Sequence, residues 1–586
     1  MIDYYNKQIN RLSLEINSFK KKVNTLVFIR LIFFFLLVGS VYFIWEINSW
    51  LSLLIGGIGT FLFVRLVHYF LDVKLMLSKL ETQRDINVYE INLLQGDFTQ
   101  CKDGKEYLDV SHSFANDLDL FAIHGVFSML NKTASPQGER QLASVLLGGA
   151  SDTQFMNGAI TFLSKHIDWT QRYRVTGKLQ NREEGANYSM DQFDLSRMPI
   201  SNWMAWYQWV MPCFSIFLFV AFILNLLSIS MLAMLLVVGL FPVFRQMKIS
   251  NVYFKKISLF EIRVDMLIER LKLVDELRGN DGFFDTLIKK VNPEGNSEKE
   301  LLLLKKRIRQ VNMRLNVLVG LILNIFFAWD IRLRMNIKKW GEVNELFLGK
   351  IEEELSMIEV YLSGATIRAT FPETTFAQFT TETLVHMEDV LHPLLAIKGG
   401  KENRFELDDD QHFMILTGPN MAGKSTFLRS VGLAIVFANA GFPVFAKEIK
   451  LPKMKLYTSM RTADDINSSS SYFFAELSRL RIIVEAIETN EKVFVLLDEI
   501  LKGTNSKDKQ EGSFKFMKKL QKLGGLGIIA THDLSLCELD KETSFFNACF
   551  DSNIEAEELS FDYTLKEGVC KNMNASFLLK KMQLVD

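Results

Sequence analysis

The string Gly418-Pro419-Asn420-Met421-Ala422-Gly423-Lys424-Ser425-Thr426 has the form G-x-x-x-x-G-K-[ST]. It follows an apolar run of strand length, Phe413 to Thr417, and opens a helical pattern from Phe427 to Asn439. In that strand, loop and helix setting the glycines let backbone N–H groups turn inward around phosphates, and the helix N-terminus adds positive potential. Lys424 is placed to reach β- and γ-phosphates, and the Ser425 hydroxyl to ligate Mg²⁺. A second apolar run, Val493 to Leu497, ends in Asp498-Glu499. Asp498 would hold the Mg²⁺ shell and Glu499 would act as general base on the attacking water. A third run, Gly527 to Thr531, ends at His532, whose imidazole would contact the γ-phosphate as a switch. The chemistry these residues specify is hydrolysis of ATP with Mg²⁺, carried by Glu499, His532 and Lys424.

Strands of this kind alternating with helices mark an α/β nucleotide-binding domain, expected over 381–586. Upstream, a turn signal at Ala134 to Gly138 and a Lys/Glu/Leu-rich helical pattern from Lys255 to about Leu362 predict a helical body. Two apolar stretches interrupt it. Between Leu31 and Val64 the only charged residue is Glu46, and between Trp209 and Phe244 there is none. A hydrocarbon core of ~30 Å takes about 20 helical residues per crossing, so each stretch is long enough for a hairpin of two short spans. Glu46, Asn48 and Ser49 would turn the first, and Asn225, Ser228 and Ser230 the second. Lys20 to Lys22, Arg30, Arg65, Lys74, Arg197, Arg245 and Lys248 flank the hairpins, and neither turn carries Lys or Arg. The positive-inside rule then leaves the termini and the middle segment in the cytoplasm of a multi-pass protein of the cell (inner) membrane. A shorter apolar stretch, Leu315 to Trp329, reads as a buried domain helix rather than a fifth span.

The expected organisation is a cytosolic helix (1–25), a transmembrane hairpin (26–70), a helical region (71–205), a second hairpin (206–245), a further helical region (246–380) and the α/β domain (381–586). A chain of 586 residues needs several cores. A 48% hydrophobic, 12% aromatic composition accords with membrane spans, and a net charge of −1 excludes a globally basic polyanion binder. The five cysteines show no CxxC pair and no zinc spacing, so they read as reduced cytosolic side chains. The polar N-terminus lacks a cleavage signal, as an uncleaved anchor would.

Taken together, the motifs resemble the MutS family of DNA mismatch-repair ATPases. Thr417 to Thr426 is close to that family's phosphate loop, Asp498-Glu499-Ile500 with Gly503-Thr504-Asn505-Ser506 to its second motif, Ala530-Thr531-His532 to its switch, and His392-Pro393-Leu394 to the opening of its ATPase domain. Asp464 to Glu476 is similar to its ABC-type signature, with Ser471 at the serine that acts in trans on a partner's ATP and Ser469 where the family usually has Gly. Phe127 to Leu142, and the Trp329-Asp330 region, more faintly resemble its helical core. The resemblance implies a homodimer through the ATPase domain, with ATP at composite sites, and makes DNA a candidate partner. It finds no counterpart for the family's N-terminal mismatch-reading domain, so mismatch recognition is not carried over. A transport ATPase of ABC type is the alternative, since it shares the same motifs, but four spans are few for a translocation path. A non-hydrolysing scaffold would not need Lys424, Ser425, Asp498 and Glu499 intact.

Overall fold

The computed structural model describes residues 1–149, 152–180, 195, 198–279, 282–314, 317–382, 384–461, 472–489, 492–502, 504–542, 544–555 and 558–570. Ser471, Ser469 and the rest of the signature stretch before Tyr472, as well as Gly503, lie outside them.

Two very long helices open the chain, α1 (Ile2–Trp45) and α2 (Ser49–Leu94), packed side by side. Asn48 turns them: its Oδ1 accepts from the backbone N–H groups of Trp50 and Leu51 at 3.0 and 3.2 Å. α1 runs through residue 25 and α2 through residue 70 without a break. The tip of this hairpin exposes Phe43 at 72% and Trp50 at 80%, while its base is packed, with Leu12, Ile16 and Leu80 forming a small core. The base of α2 is joined to the body by polar pairing with α6 (Ile167–Gln180), where Asn87 and Gln171 exchange side-chain hydrogen bonds at 3.0 and 2.9 Å. Beside them Glu90 is buried between Lys132 and Arg174, at 2.9 and 2.7 Å. Burial opposes its charge, but the two cations win and pull its carboxyl down to about 2.

The body continues with α3 (Val126–Leu130), α4 (Pro136–Leu146), α5 (Thr153–Ser164) and then a second hairpin, α7 (Asn202–Ile223) and α8 (Ile229–Leu259). Ser228 caps α8 by accepting from Met231 N–H, and Asn225 takes a left-handed φ of 57° at the turn. Phe217, Ile229 and Phe241 are each more than 60% exposed on it. Among the described residues, four helical stretches are long and apolar enough to cross a membrane: Ile2–Trp45, Ser49–Leu94, Asn202–Ile223 and Ile229–Asp275.

After α9 (Glu261–Asp275), α10 (Gly282–Val291) and α11 (Asn296–Met313) comes α12 (Val317–Phe327), where the expectation of a buried helix needs correction. Eleven residues span only ~16 Å, too short for a crossing. Yet Leu321, Ile322 and Phe327 are 43%, 54% and 43% exposed. α12 rides on the second hairpin, with Ser215 Oγ of α7 donating to Ile325 O at 2.7 Å. Its inner face is polar at one point, where Asn324 Nδ2 donates to Asp330, a buried carboxylate also bound by Arg314. The 42-residue α13 (Trp329–Thr370) then runs the length of the body. Its buried Glu359 accepts from the N–H groups of Ala134 and Ser135 at 2.7 and 2.9 Å and pairs with Arg270.

Beyond α13 the chain builds two sheets. The smaller orders β1 (Gln378–Thr380), β5 (Glu448–Pro452), β2 (Val385–Val390) and β3 (Asn403–Leu407) side by side. The larger has six strands in the order β12 (Lys566–Glu567), β9 (Phe545–Cys549), β4 (Phe413–Thr417), β8 (Leu526–Ala530), β7 (Val493–Asp498), β6 (Lys455–Ser459). Pairing is parallel from β9 to β6. Helices α15 (Lys424–Ala440), α16 (Tyr472–Glu488) and α17 (Ser506–Lys522) join its strands. Every residue of β4 and β8 is buried, which is why these strands read as unbroken apolar runs. Gly527 on β8 has no side chain for a physical reason: a Cβ there would lie 2.1 Å from Val495 O on the neighbouring strand.

Body and α/β domain meet at a loop carrying Asp117, which is fully buried. Its carboxylate accepts from Thr458 Oγ1 at 2.7 Å, from the N–H groups of Met460 and Arg461 at 3.0 Å each, and from Arg479 at 3.1 Å. Asp119, two residues on, pairs with Arg429 of α15 at 3.1 Å and with Arg461 at 2.9 Å. Asp117→Ala strands several buried donors and is expected to cost about 3 kcal/mol or more, whereas Asp119→Ala, at a more exposed pair, costs about 1 kcal/mol. Thermal unfolding of the two purified variants should show that ranking; equal midpoints would refute it.

Candidate active site

The three sequence motifs lie 33 to 108 residues apart but meet because β4, β8 and β7 are neighbours with their C-terminal ends on one edge. That edge, where strands feed helix N-termini, is where open α/β sheets bind ligands. The loop from Gly418 to Gly423 turns back over the start of α15, with φ of 147° at Gly418 and 107° at Gly423. A Cβ at Gly418 would meet Phe550 O at 2.6 Å, so only glycine fits beneath the loop. Pro419, Asn420, Met421 and Ala422 form its crest, and Met421 also takes a left-handed φ of 69°. Lys424 and Ser425 begin α15, and Thr426 follows on its first turn.

Lys424 is 6% exposed. Its Nζ donates to Gly418 O at 2.7 Å and Pro419 O at 3.0 Å, two oxygens standing where an anion's oxygens would compete. Burial lowers its pKa, opposed by the charges of Asp498 and Glu499. Ser425 Oγ donates to Asp498 Oδ2 at 2.7 Å. A hydroxyl and a carboxylate oxygen in contact at the end of β7 are a fitting donor pair for a hard divalent cation, and they are the two residues the sequence nominates for Mg²⁺. Glu499 follows with φ of 52° and points across to His532, Oε1 to Nε2 3.1 Å. His532 Nε2 is also 2.8 Å from Asn420 Oδ1. The Lys424 Nζ stands 3.4 Å from the same nitrogen, so Asn420, Glu499 and Lys424 all converge on His532 Nε2. Burial, then the nearby Lys424, lowers the pKa of His532, opposed by Glu499 and Asp498. His392, by contrast, is a cap: it accepts from Leu394 N–H at 3.3 Å, and burial with Arg429 close by pushes its pKa down to about 4.

These residues line a cleft of about 850 Å³. It extends past the loop between Leu395, Gly400 and Lys401 on one side and Phe550 and Tyr563 on the other. The Tyr563 ring lies over the loop, 3.3 Å from where a Cβ of Gly423 would be, and Asn403 holds its backbone by donating to Tyr563 O at 3.1 Å. No sequence signal pointed to Tyr563, which reaches the loop from 140 residues away. A separate group on the small sheet, His386, Glu388 and Glu448, has ligand-type atoms within 4.8 Å of one another. Lys447 and Lys450 already neutralise its carboxylates at 2.8 and 2.5 Å.

Sheet order and loop geometry define a C-terminal α/β domain with a glycine loop at the C-terminal edge of a mostly parallel sheet. Residues 414–583, which include the glycine loop, Asp498-Glu499 and His532, match the family model of MutS domain V. The C-terminal region of this chain is thus similar to MutS domain V. Over it the chain is 34% identical across 210 residues to the DNA mismatch repair protein MutS of Thermotoga petrophila, which covers 35% of this chain and 25% of that protein. It is 28% identical across 239 residues to the human MutS protein homolog 4, covering 39% and 25%. The MutS of Caldicellulosiruptor saccharolyticus is 31% identical across 187 residues, 31% of this chain and 21% of that protein. The chain therefore spans about a quarter of the length of these relatives.

Proposed function

We propose that this protein is a membrane-anchored, MutS-like ATPase that hydrolyses ATP at composite sites between two copies and uses nucleotide state to move its helical body. The observation that carries the reading is the meeting of a buried lysine, a Ser–carboxylate pair and a Glu–His pair around one glycine loop: Lys424, Ser425 with Asp498, and Glu499 with His532. In this reading Lys424 exchanges the Gly418 and Pro419 carbonyls for phosphate oxygens. Ser425 and Asp498 would hold Mg²⁺, which supplies charge neutralisation at the phosphates. Glu499 takes a proton from the attacking water as the terminal P–O bond breaks and ADP leaves, and His532 keeps that carboxylate in place. Ser471 would act on the partner's nucleotide. Tyr563, flanking the far end of the cleft, is positioned to lie against the base. The transport alternative gains no support from relatives that fall on MutS domain V.

Hydrolysis by the detergent-solubilised full-length protein, alone and with perfect, mismatched and branched duplex, tests the reading, with Glu499→Gln as control. Stimulation by one DNA form would place the protein in DNA metabolism, as its relatives' names suggest; turnover indifferent to every DNA would demote DNA as the partner. The membrane assignment is supported by the exposed Phe, Ile and Trp side chains on four long helices. It predicts that the chain stays in the membrane pellet through alkaline carbonate extraction, and release into the supernatant would end it.

A further inference from the structure

The inner face of α16 carries one residue that does not belong to an apolar core. Leu480, Ile483 and Ile487 pack into the domain at 4%, 1% and 4% exposure, and Glu476, one turn before Leu480 on the same face, is 3% exposed. A carboxylate at such a position is costly unless it has a specific partner. Its Oε1 accepts from the backbone N–H of Leu501 at 2.6 Å, and its Oε2 makes no hydrogen bond among the described residues.

Leu501 belongs to the turn that presents Glu499. That turn has two non-glycine residues in the left-handed region, Glu499 at φ 52° and Leu501 at φ 59°, which persists only where surrounding contacts hold it. One tie is Glu499 N–H donating to Ala530 O at 2.9 Å, on the strand that leads to His532. Lys502 Nζ also lies 3.7 Å from Glu499 Oε2, and the buried tie to the turn's backbone is Glu476. We propose that Glu476 is a positioning residue: its buried carboxylate fixes the Leu501 amide and so holds the Glu499 carboxylate facing His532 and the glycine loop. This rests on the ATPase reading above and names a residue that reading does not use. It also makes α16, whose first residue follows Ser471, mechanically continuous with the catalytic turn.

Glu476→Met tests it, because methionine fills the same volume without an acceptor. The full-length protein should lose about 10- to 100-fold in kcat for ATP, with KM changed less than about threefold, and should still melt cooperatively, since relief of a buried carboxylate offsets part of the cost of the stranded Leu501 N–H. Glu476→Gln, whose amide oxygen can still accept from Leu501, should recover most of the lost kcat. A methionine variant with parental kcat, or one that loses stability and nucleotide affinity together without rescue by glutamine, overturns the proposal. If Glu476→Met does not fold, the role is stability alone and the proposal fails. A parent protein without Glu499-dependent hydrolysis would instead overturn the ATPase reading itself, and this inference with it.

Discussion

Glu499→Gln should abolish turnover while leaving ATP binding intact, lowering kcat by about 10²- to 10⁴-fold, the range a positioned general base contributes. The substitution is nearly isosteric. Its amide can still hydrogen-bond with His532 Nε2, now 3.1 Å from Glu499 Oε1, so the turn and the switch histidine keep their places. What is lost is an oxygen basic enough to take the water's proton. With chemistry blocked and the cleft still able to fill, nucleotide-bound protein should accumulate, and if the sites are composite the dimer should accumulate with it. Steady-state hydrolysis, nucleotide titration and sizing of the detergent-solubilised variant in ATP read these three quantities separately. Parental hydrolysis in the variant would remove Glu499 from the mechanism. Loss of hydrolysis with no ATP-dependent dimer would retain the base but remove the composite site.

Lys424→Ala should fail one step earlier, at binding. Lys424 is the buried cation at the mouth of the loop, and Asp498 and Glu499 face the same space. Without it the cleft keeps its backbone N–H groups but presents two carboxylates to a polyanionic ligand. Loss of one such preorganised charge contact costs about 10²- to 10³-fold, so binding at submillimolar ATP should vanish and hydrolysis with it. The fold should survive, because the lysine's present partners, Gly418 O and Pro419 O, lie at a solvent-lined cleft and can be hydrated. Equilibrium binding of a fluorescent ATP analogue, with a melting curve as fold control, decides the matter; affinity within twofold of the parent would mean that the cleft is not a nucleotide site. Together the variants separate binding from chemistry, and a scaffold would be indifferent to both.

Much of this was legible in the chain itself, because it is local. Gly418 and Gly423 are glycines since the backbone needs positive φ there, and the strand before them and the helix after them are written in the residues on either side. The hairpin turns at Asn48 and Ser228 are read the same way, from polar caps set between apolar runs. Local pattern misled at α12, where an apolar 11-residue run reads as buried but rests one face on the second hairpin and exposes the other. Hydropathy reports what a helix prefers to leave water for, not which neighbour is there to cover it.

Residue types and spacing by themselves determined the phosphate-loop motif, the Asp-Glu pair, the switch histidine and the lengths of the apolar helices. Tertiary structure decided everything that depends on which strands are neighbours. The order β4, β8, β7 places His532 against Glu499, and Ser425 against Asp498 across 73 residues. Asp117 reaches Thr458 and Arg461, and Tyr563 reaches Gly423, over separations that no periodicity records. Glu476 closes the stretch that resembles the signature, but it becomes a tie to Leu501 only because α16 packs that face inward against the turn after β7. Sequence pattern encodes backbone preference over one or two turns of chain; the partners of a buried charge are chosen by the packing of whole elements.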